Sequence, residues 1–153
     1  MAASAPLVAI HVLAASIWVG GLVAIFVVAR AASATLEPAQ RIAFFRSLGR
    51  SYGIVGSVAL LVALASGALL LRGHPWDGTL IAAAAVAGAL LVALAAGMAQ
   101  ARAMTRLRRR ALAAPDGAPD PEVRKGAALA TALRATIGLL TLILVVLGSA
   151  LVS

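Results

Sequence analysis

Four long apolar stretches, separated by shorter segments that carry most of the charge, organise this chain. They cover residues 6–29, 52–71, 79–99 and 135–152. At about 1.5 Å of rise per helical residue, each is about as long as a hydrocarbon layer of ~30 Å is thick. All four are apolar around the whole helix circumference, which is typical of membrane spans. The pattern predicts an all-α, integral membrane four-helix bundle formed by residues 1–153 as a single domain.

The cations indicate how these spans are oriented. Of the 13 Lys and Arg residues, only Arg72 lies outside segments 30–50 and 102–134. Cationic loops stay on the cytoplasmic side of a membrane, so both segments should face the cytoplasm. The link 72–78 then lies outside, and both termini are expected to be outside (N-out, C-out). We expect a multi-pass protein of the bacterial plasma (inner) membrane.

The segments predicted to be cytoplasmic show a weak twofold repeat. Glu37-Pro38 and Asp120-Pro121 each place an acid before a proline, which favours the start of a helix. The sequence therefore predicts that helices two and four begin in the cytoplasm. Residues 41–50 alternate arginine with apolar residues at helical spacing, the pattern of a segment lying on the membrane surface, and Gly49 and Gly53 could let it bend into the membrane.

The third helix should continue past the membrane to Leu112, followed by a flexible linker at 113–119 that contains three residues typical of turns, Pro115, Gly117 and Pro119. Its extension is strongly basic. Because the cations flank apolar spans, we expect them to contact anionic lipid and not nucleic acid, despite the net charge of +8. The arginines concerned are Arg102, Arg106, Arg108, Arg109 and Arg110.

Composition excludes several functions. The chain is 63% hydrophobic and 12% charged, with a mean hydropathy of +1.04, too apolar for a soluble domain. It has no cysteine, so there can be no disulfide, thiolate metal site or iron–sulfur cluster. No charged residue lies well inside a span, which disfavours ion pumps. There is no phosphate-binding loop, and Ser16 does not share a helix face with His11. The sequence favours a non-enzymatic role.

Two histidines and one carboxylate remain as candidate ligands. His11 lies near the outer start of the first helix, and His74 and Asp77 lie in the outer link. Imidazole nitrogens bind copper, zinc or haem iron, so His11 and His74 could share one metal ion, with Asp77 or the amino terminus as a third donor. Two simpler interpretations stay open: His11 bonds across helices, and His74 is solvated. A bis-histidine dihaem site needs four imidazoles and is excluded, whereas a single haem stays open.

Small and aromatic residues should pack the helices. Gly20 and Gly21 belong to a set of Gly and Ala residues that let backbones approach closely. Trp18 lies too deep for an interfacial aromatic belt, so it should fill the interior below His11. Met98 and Gln100 are expected to pack, although the Gln100 amide could bond to the facing helix.

The stretch His11-Val12-Leu13-Ala14-Ala15-Ser16-Ile17-Trp18-Val19-Gly20-Gly21-Leu22 resembles the opening helix of CopD-type copper-resistance membrane proteins and, more distantly, HemJ-type protoporphyrinogen oxidases. Segments 41–67 and 78–110 resemble the next two helices of that family. The resemblance implies a four-helix membrane bundle with His11 at a metal-associated or haem-associated site. The chain lacks the lysine that the family often has early in the third helix, and Gln100 stands nearest to the family's asparagine.

The leading prediction is a CopD-like protein that binds or imports copper at the outer face of the bilayer. Two alternatives remain: a non-catalytic subunit or scaffold of a larger membrane complex, and a single b-type haem protein. A homo-oligomer is compatible with each of them.

Overall fold

The structure, a computed structural model, describes residues 5–113 and 121–151. These residues form four α-helices and no strand: α1 (Ala5–Thr35), α2 (Pro38–Leu70), α3 (Gly78–Ala113) and α4 (Pro121–Ala150). Each helix contains a stretch long and apolar enough to cross a membrane. The predicted all-α fold with four membrane-length helices is confirmed.

The helices begin where the acid–proline pairs predicted. α2 starts at Pro38 and α4 at Pro121. Glu37 is the N-cap of α2, and its carbonyl accepts the first helical hydrogen bond from the Arg41 amide at 2.9 Å, while its side chain makes no capping bond. Proline suits this position because its missing N–H has no partner in the first turn. The predicted continuation of helix three to Leu112 is also confirmed, since α3 ends at Ala113. The linker prolines and Gly117 lie outside the described residues.

The segment 41–50, whose pattern predicts a position on the membrane surface, is part of a longer helix. α2 is a continuous helix of 33 residues that passes through Gly49 and Gly53 without interruption. A glycine inside a helix costs only about 1 kcal/mol relative to alanine, which is too little to end a long helix. The cations of this segment therefore lie on the same helix, α2, as the apolar stretch that follows them.

The helices pair as two hairpins. α1 packs on α2, and α3 packs on α4; the chain divides into two compact units between His74 and Pro75. In the first hairpin (α1 and α2), His11 contacts the C-terminal part of α2, and Trp18 contacts its middle. The first hairpin is therefore antiparallel, as its short connection requires.

Small residues bring the two helices of the first hairpin together. Ala14 and Trp18 on α1 are each 6% exposed, and Leu60 on α2 is 2% exposed. Gly56 lies against Trp18, since a Cβ built on Gly56 would come within van der Waals contact of the Trp18 ring, at 3.4 Å. The prediction that Trp18 fills the interior is confirmed within this hairpin.

In the second hairpin (α3 and α4), a polar contact joins the helices near the charged end of α3. The Gln100 amide donates to the Gly126 carbonyl at 3.2 Å, and the Met104 side chain covers the Cα of Gly126. Gln100 was expected mainly to pack, and the structure shows the alternative, a hydrogen bond to the facing helix. Met98 is 46% exposed, so it does not pack in the interior of this hairpin.

Candidate metal-binding site

The most developed polar site in the described residues lies between α1 and α2, around His11. On α2, Ala63, Ser66 and Gly67 share the face towards His11 because they are three and four residues apart. Gly67 makes room for the ring: a Cβ at this position would lie 3.1 Å from His11 Cε1. Glycine therefore lets the imidazole lie directly against the backbone of α2.

The hydrogen bonds of His11 identify the tautomer. Nδ1 lies 3.0 Å from the Ala63 carbonyl oxygen and 3.1 Å from Ser66 Oγ. A carbonyl oxygen can only accept, so Nδ1 must carry the proton. The Ser66 hydroxyl donates its own proton to the Val62 carbonyl at 2.7 Å, which leaves its oxygen able to accept from Nδ1. In the neutral imidazole, the lone pair is then on Nε2.

His11 Nε2 makes no hydrogen bond to any part of the chain that the structure describes, and the His11 side chain is half-buried. A ring held through one N–H, with its other nitrogen unprotonated, is the arrangement that proteins use for metal-ligating histidines. The simpler interpretation, a hydrogen bond across helices, is also correct for Nδ1. It orients the ring and leaves Nε2 available as a ligand.

The second candidate ligand, His74, belongs to the same end of the first hairpin. It follows the turn after α2, where its amide donates to the Leu71 carbonyl at 3.0 Å, and its side chain is half-buried. Gly73 has φ of +87°, a left-handed conformation that glycine adopts readily and that turns the chain here. Because Gly67 contacts His11 one helical turn before α2 ends, both imidazoles lie towards this end.

Asp77, the third candidate, has a structural role at the start of α3. Its Oδ1 accepts from the Leu80 amide at 2.8 Å, the bond of a helix N-cap. Across residues 5–113 and 121–151, no three His, Cys, Asp or Glu side chains converge where they could hold a metal. The structure therefore orients one imidazole, His11, without assembling a three-ligand cage in these ranges.

The Ser66–His11 pair is not the dyad of a hydrolase. Such a dyad needs an imidazole nitrogen that takes the serine proton. Here Nδ1 already carries a proton, and Ser66 donates to backbone carbonyls instead. Ser66 is also 4% exposed. This contact was not predicted because the two residues are 55 positions apart. The signal that could have indicated it is the small pair Ser66-Gly67 in an apolar span.

Below the site, Tyr52 fixes the register of the two helices. Its hydroxyl donates to the Trp18 carbonyl at 3.1 Å, and its ring lies against Gly21 and Gly56. Tyr52 was not among the residues predicted to pack the helices. Of the two adjacent glycines that were, Gly21 contacts Tyr52, whereas nothing lies within 4 Å of a Cβ built on Gly20. The Tyr52 contact fixes how far α1 is shifted along α2, and at this shift His11 lies beside Ser66.

The basic end of α3 is partly described. The side chains of Arg102 and Arg106 are exposed. The side chains of Arg108, Arg109 and Arg110 lie outside the described part of the structure. The proposed contact with anionic lipid thus stays a prediction.

No family model, curated protein or solved structure matches this chain.

Proposed function

We propose that this protein is a CopD-like, multi-pass protein that binds or imports copper at the outer face of the bacterial plasma membrane, with His11 Nε2 as the ligand atom. The observation that carries the proposal is the pair of contacts from His11 Nδ1 to Ala63 and Ser66. They fix the tautomer and the ring orientation that a metal ligand needs. The sequence around His11 resembles a copper-associated helix, which supports copper among the metals that imidazole binds.

The ligands available suit transient binding better than storage. His74, at the same end of the hairpin, is the second donor in this proposal. A metal held by one or two protein donors is released more easily than one in a closed four-ligand site. Easy release is what a protein that passes copper on requires. The inferred N-out orientation places these groups at the outer face.

The test is a Cu(I) and Cu(II) titration of the purified full-length protein in detergent, with His11→Ala and His74→Ala as variants. We expect His11→Ala to abolish specific uptake and His74→Ala to weaken it. Ser66→Ala is the matched variant: it removes one support of Nδ1 but keeps the Ala63 carbonyl, so affinity should fall about tenfold, the low end for supporting partners. Equal uptake by wild type and His11→Ala would overturn the proposal.

The absorption spectrum of the same preparation distinguishes copper binding from the haem alternative. A Soret band that disappears in His11→Ala would assign Nε2 to haem iron and not to copper. Helical circular dichroism of each variant serves as the folding control. A preparation that binds copper and has no Soret band supports the proposal.

A second function, a scaffold in a larger membrane complex, is favoured by a different observation. Only 11% of the most apolar window of α1 and 6% of that of α4 is buried. Large apolar surfaces of this kind either face lipid or pack on other membrane helices. Purification in mild detergent tests this function: a stoichiometric partner that stays bound to His11→Ala would support a scaffold that does not depend on the metal site.

A further inference from the structure

An open apolar groove of about 400 Å³ lies between α1 and α2, on the first hairpin. Its lining side chains are all aliphatic, and Ala14 and Ala59 on its floor are 6% and 7% exposed. The residues of its walls are large and exposed, with Leu13 at 64% and Ile54 at 65%. The walls are formed by Ile10, Leu13 and Ile17 of α1 and by Ile54, Val58 and Val62 of α2. The groove therefore has a small-residue floor between branched walls.

An arginine, Arg50, lies just beyond the end of this groove on α2. Arg50 precedes Ile54 by four residues, so it lies one turn further along α2 and is rotated by about 40° from it. Its side chain is exposed, and so is that of Arg46 one turn beyond. Arginine presents a planar set of donors that matches a phosphate group. On α2, an exposed arginine thus lies next to the aliphatic wall of the groove.

We propose that the groove is a binding site for an anionic phospholipid, with one acyl chain between α1 and α2 and the headgroup phosphate at Arg50. The lengths agree. From Arg50 to Val62 the helix rises about 18 Å, close to the thickness of one leaflet, about 15 Å. An acyl chain whose phosphate contacts Arg50 would therefore extend along the groove to the level of Val62.

The shape of the groove favours an acyl chain over a protein helix. Helices in membranes dock through small residues, which let two backbones approach closely. Here the small residues Ala14 and Ala59 lie at the bottom of the groove, and the branched walls keep a second backbone away from them. A single hydrocarbon chain needs no such close backbone approach.

Native mass spectrometry of the full-length protein tests the proposal. The protein is purified from nanodiscs that contain equal amounts of phosphatidylglycerol and phosphatidylcholine, and the retained lipid is identified. Val58→Trp fills the groove. Its control is Val12→Trp, which adds the same side chain outside the groove. The two positions are equally exposed, Val12 at 55% and Val58 at 56%. Arg50→Gln removes the cation, and its control is Arg30→Gln, an exposed cation about 200° around α1 from Ile10.

We expect wild type and both controls to retain phosphatidylglycerol in preference to phosphatidylcholine. Arg50→Gln should lower that preference about fivefold, the factor that corresponds to about 1 kcal/mol per cation at an anionic surface. Val58→Trp should lose the bound lipid of either kind. All variants should keep the helical circular dichroism of the wild type.

Three results would overturn the proposal. The first is equal lipid retention by Val58→Trp and Val12→Trp. The second is retention of both lipids without preference in wild type and Arg50→Gln alike. The third is a wild-type dimer that Val58→Trp converts to monomer, which would assign the groove to a second copy of the chain.

Discussion

Replacing Gly21 by alanine tests the packing that positions His11. A Cβ on Gly21 would overlap the phenol ring and hydroxyl of Tyr52, so the Tyr52 side chain must move. Moving it breaks its hydrogen bond to the Trp18 carbonyl. The adjacent residue offers a matched control, since a Cβ on Gly20 meets no atom within 4 Å. Both substitutions change glycine to alanine in the same turn of the same helix.

The magnitude follows from these contacts. Overpacking an interface costs about 1–3 kcal/mol, and a side-chain hydrogen bond between membrane helices contributes about 0.6 kcal/mol. The gain in helix propensity from glycine to alanine, about 1 kcal/mol, applies to both variants and cancels in their difference. Gly21→Ala should therefore be less stable than Gly20→Ala by roughly 1.5–3.5 kcal/mol.

The assay is reversible unfolding in mixed detergent micelles with increasing sodium dodecyl sulfate, followed by tryptophan fluorescence, which reports on the buried Trp18. The free energies of unfolding of Gly21→Ala and Gly20→Ala are compared in the wild type and in Tyr52→Ala. Without the phenol ring, the two alanine variants should have the same stability, and the difference between backgrounds measures the coupling of Gly21 to Tyr52. Equal destabilisation by Gly21→Ala and Gly20→Ala in the wild type would refute the reasoning.

Two further predictions concern the second half of the chain. Asp77→Ala should lower the free energy of unfolding by about 1 kcal/mol and increase amide exchange at Leu80, because the cap bond is lost, whereas Asp77→Asn should keep most of it; equal exchange at Leu80 in both variants would contradict the capping role. Gly126→Ala should cost at most about 1 kcal/mol relative to Gly138→Ala in the same micelle assay, because the atoms its Cβ meets are the ends of the flexible Met104 and Gln100 side chains, which can move. A cost as large as that of Gly21→Ala would show that these side chains cannot move.

Hydropathy was sufficient to predict the helices. Lipid provides no hydrogen-bond partners for the backbone, so a long apolar stretch has to be helical whatever it packs against. The same reasoning explains why the acid–proline pairs located the starts of α2 and α4, since the first helical turn depends only on local residues. Gly49 and Gly53 do not interrupt α2, because glycine weakens a helix without ending it.

The site was only partly predictable. His11 could be chosen from sequence because an imidazole is rare in an apolar span, and its position in the chain places it near the start of α1. Which nitrogen carries the proton depends on Ala63 and Ser66, which approach His11 only when α1 and α2 pack at the register that Tyr52 fixes. Asp77 illustrates the opposite case, since a carboxylate that looked like a ligand acts as a helix cap.

The amino-acid sequence by itself determined that the chain forms four membrane-length helices, because helix formation in an apolar stretch depends on residues that are neighbours in the chain. The tertiary structure alone decided which glycine meets Tyr52, which carbonyl holds His11 and where the aliphatic groove opens. These features depend on the rotation and sliding of one helix against another. Along an apolar helix many registers have similar hydropathy, so only the fit of particular side chains, such as Tyr52 against Gly21, selects one of them.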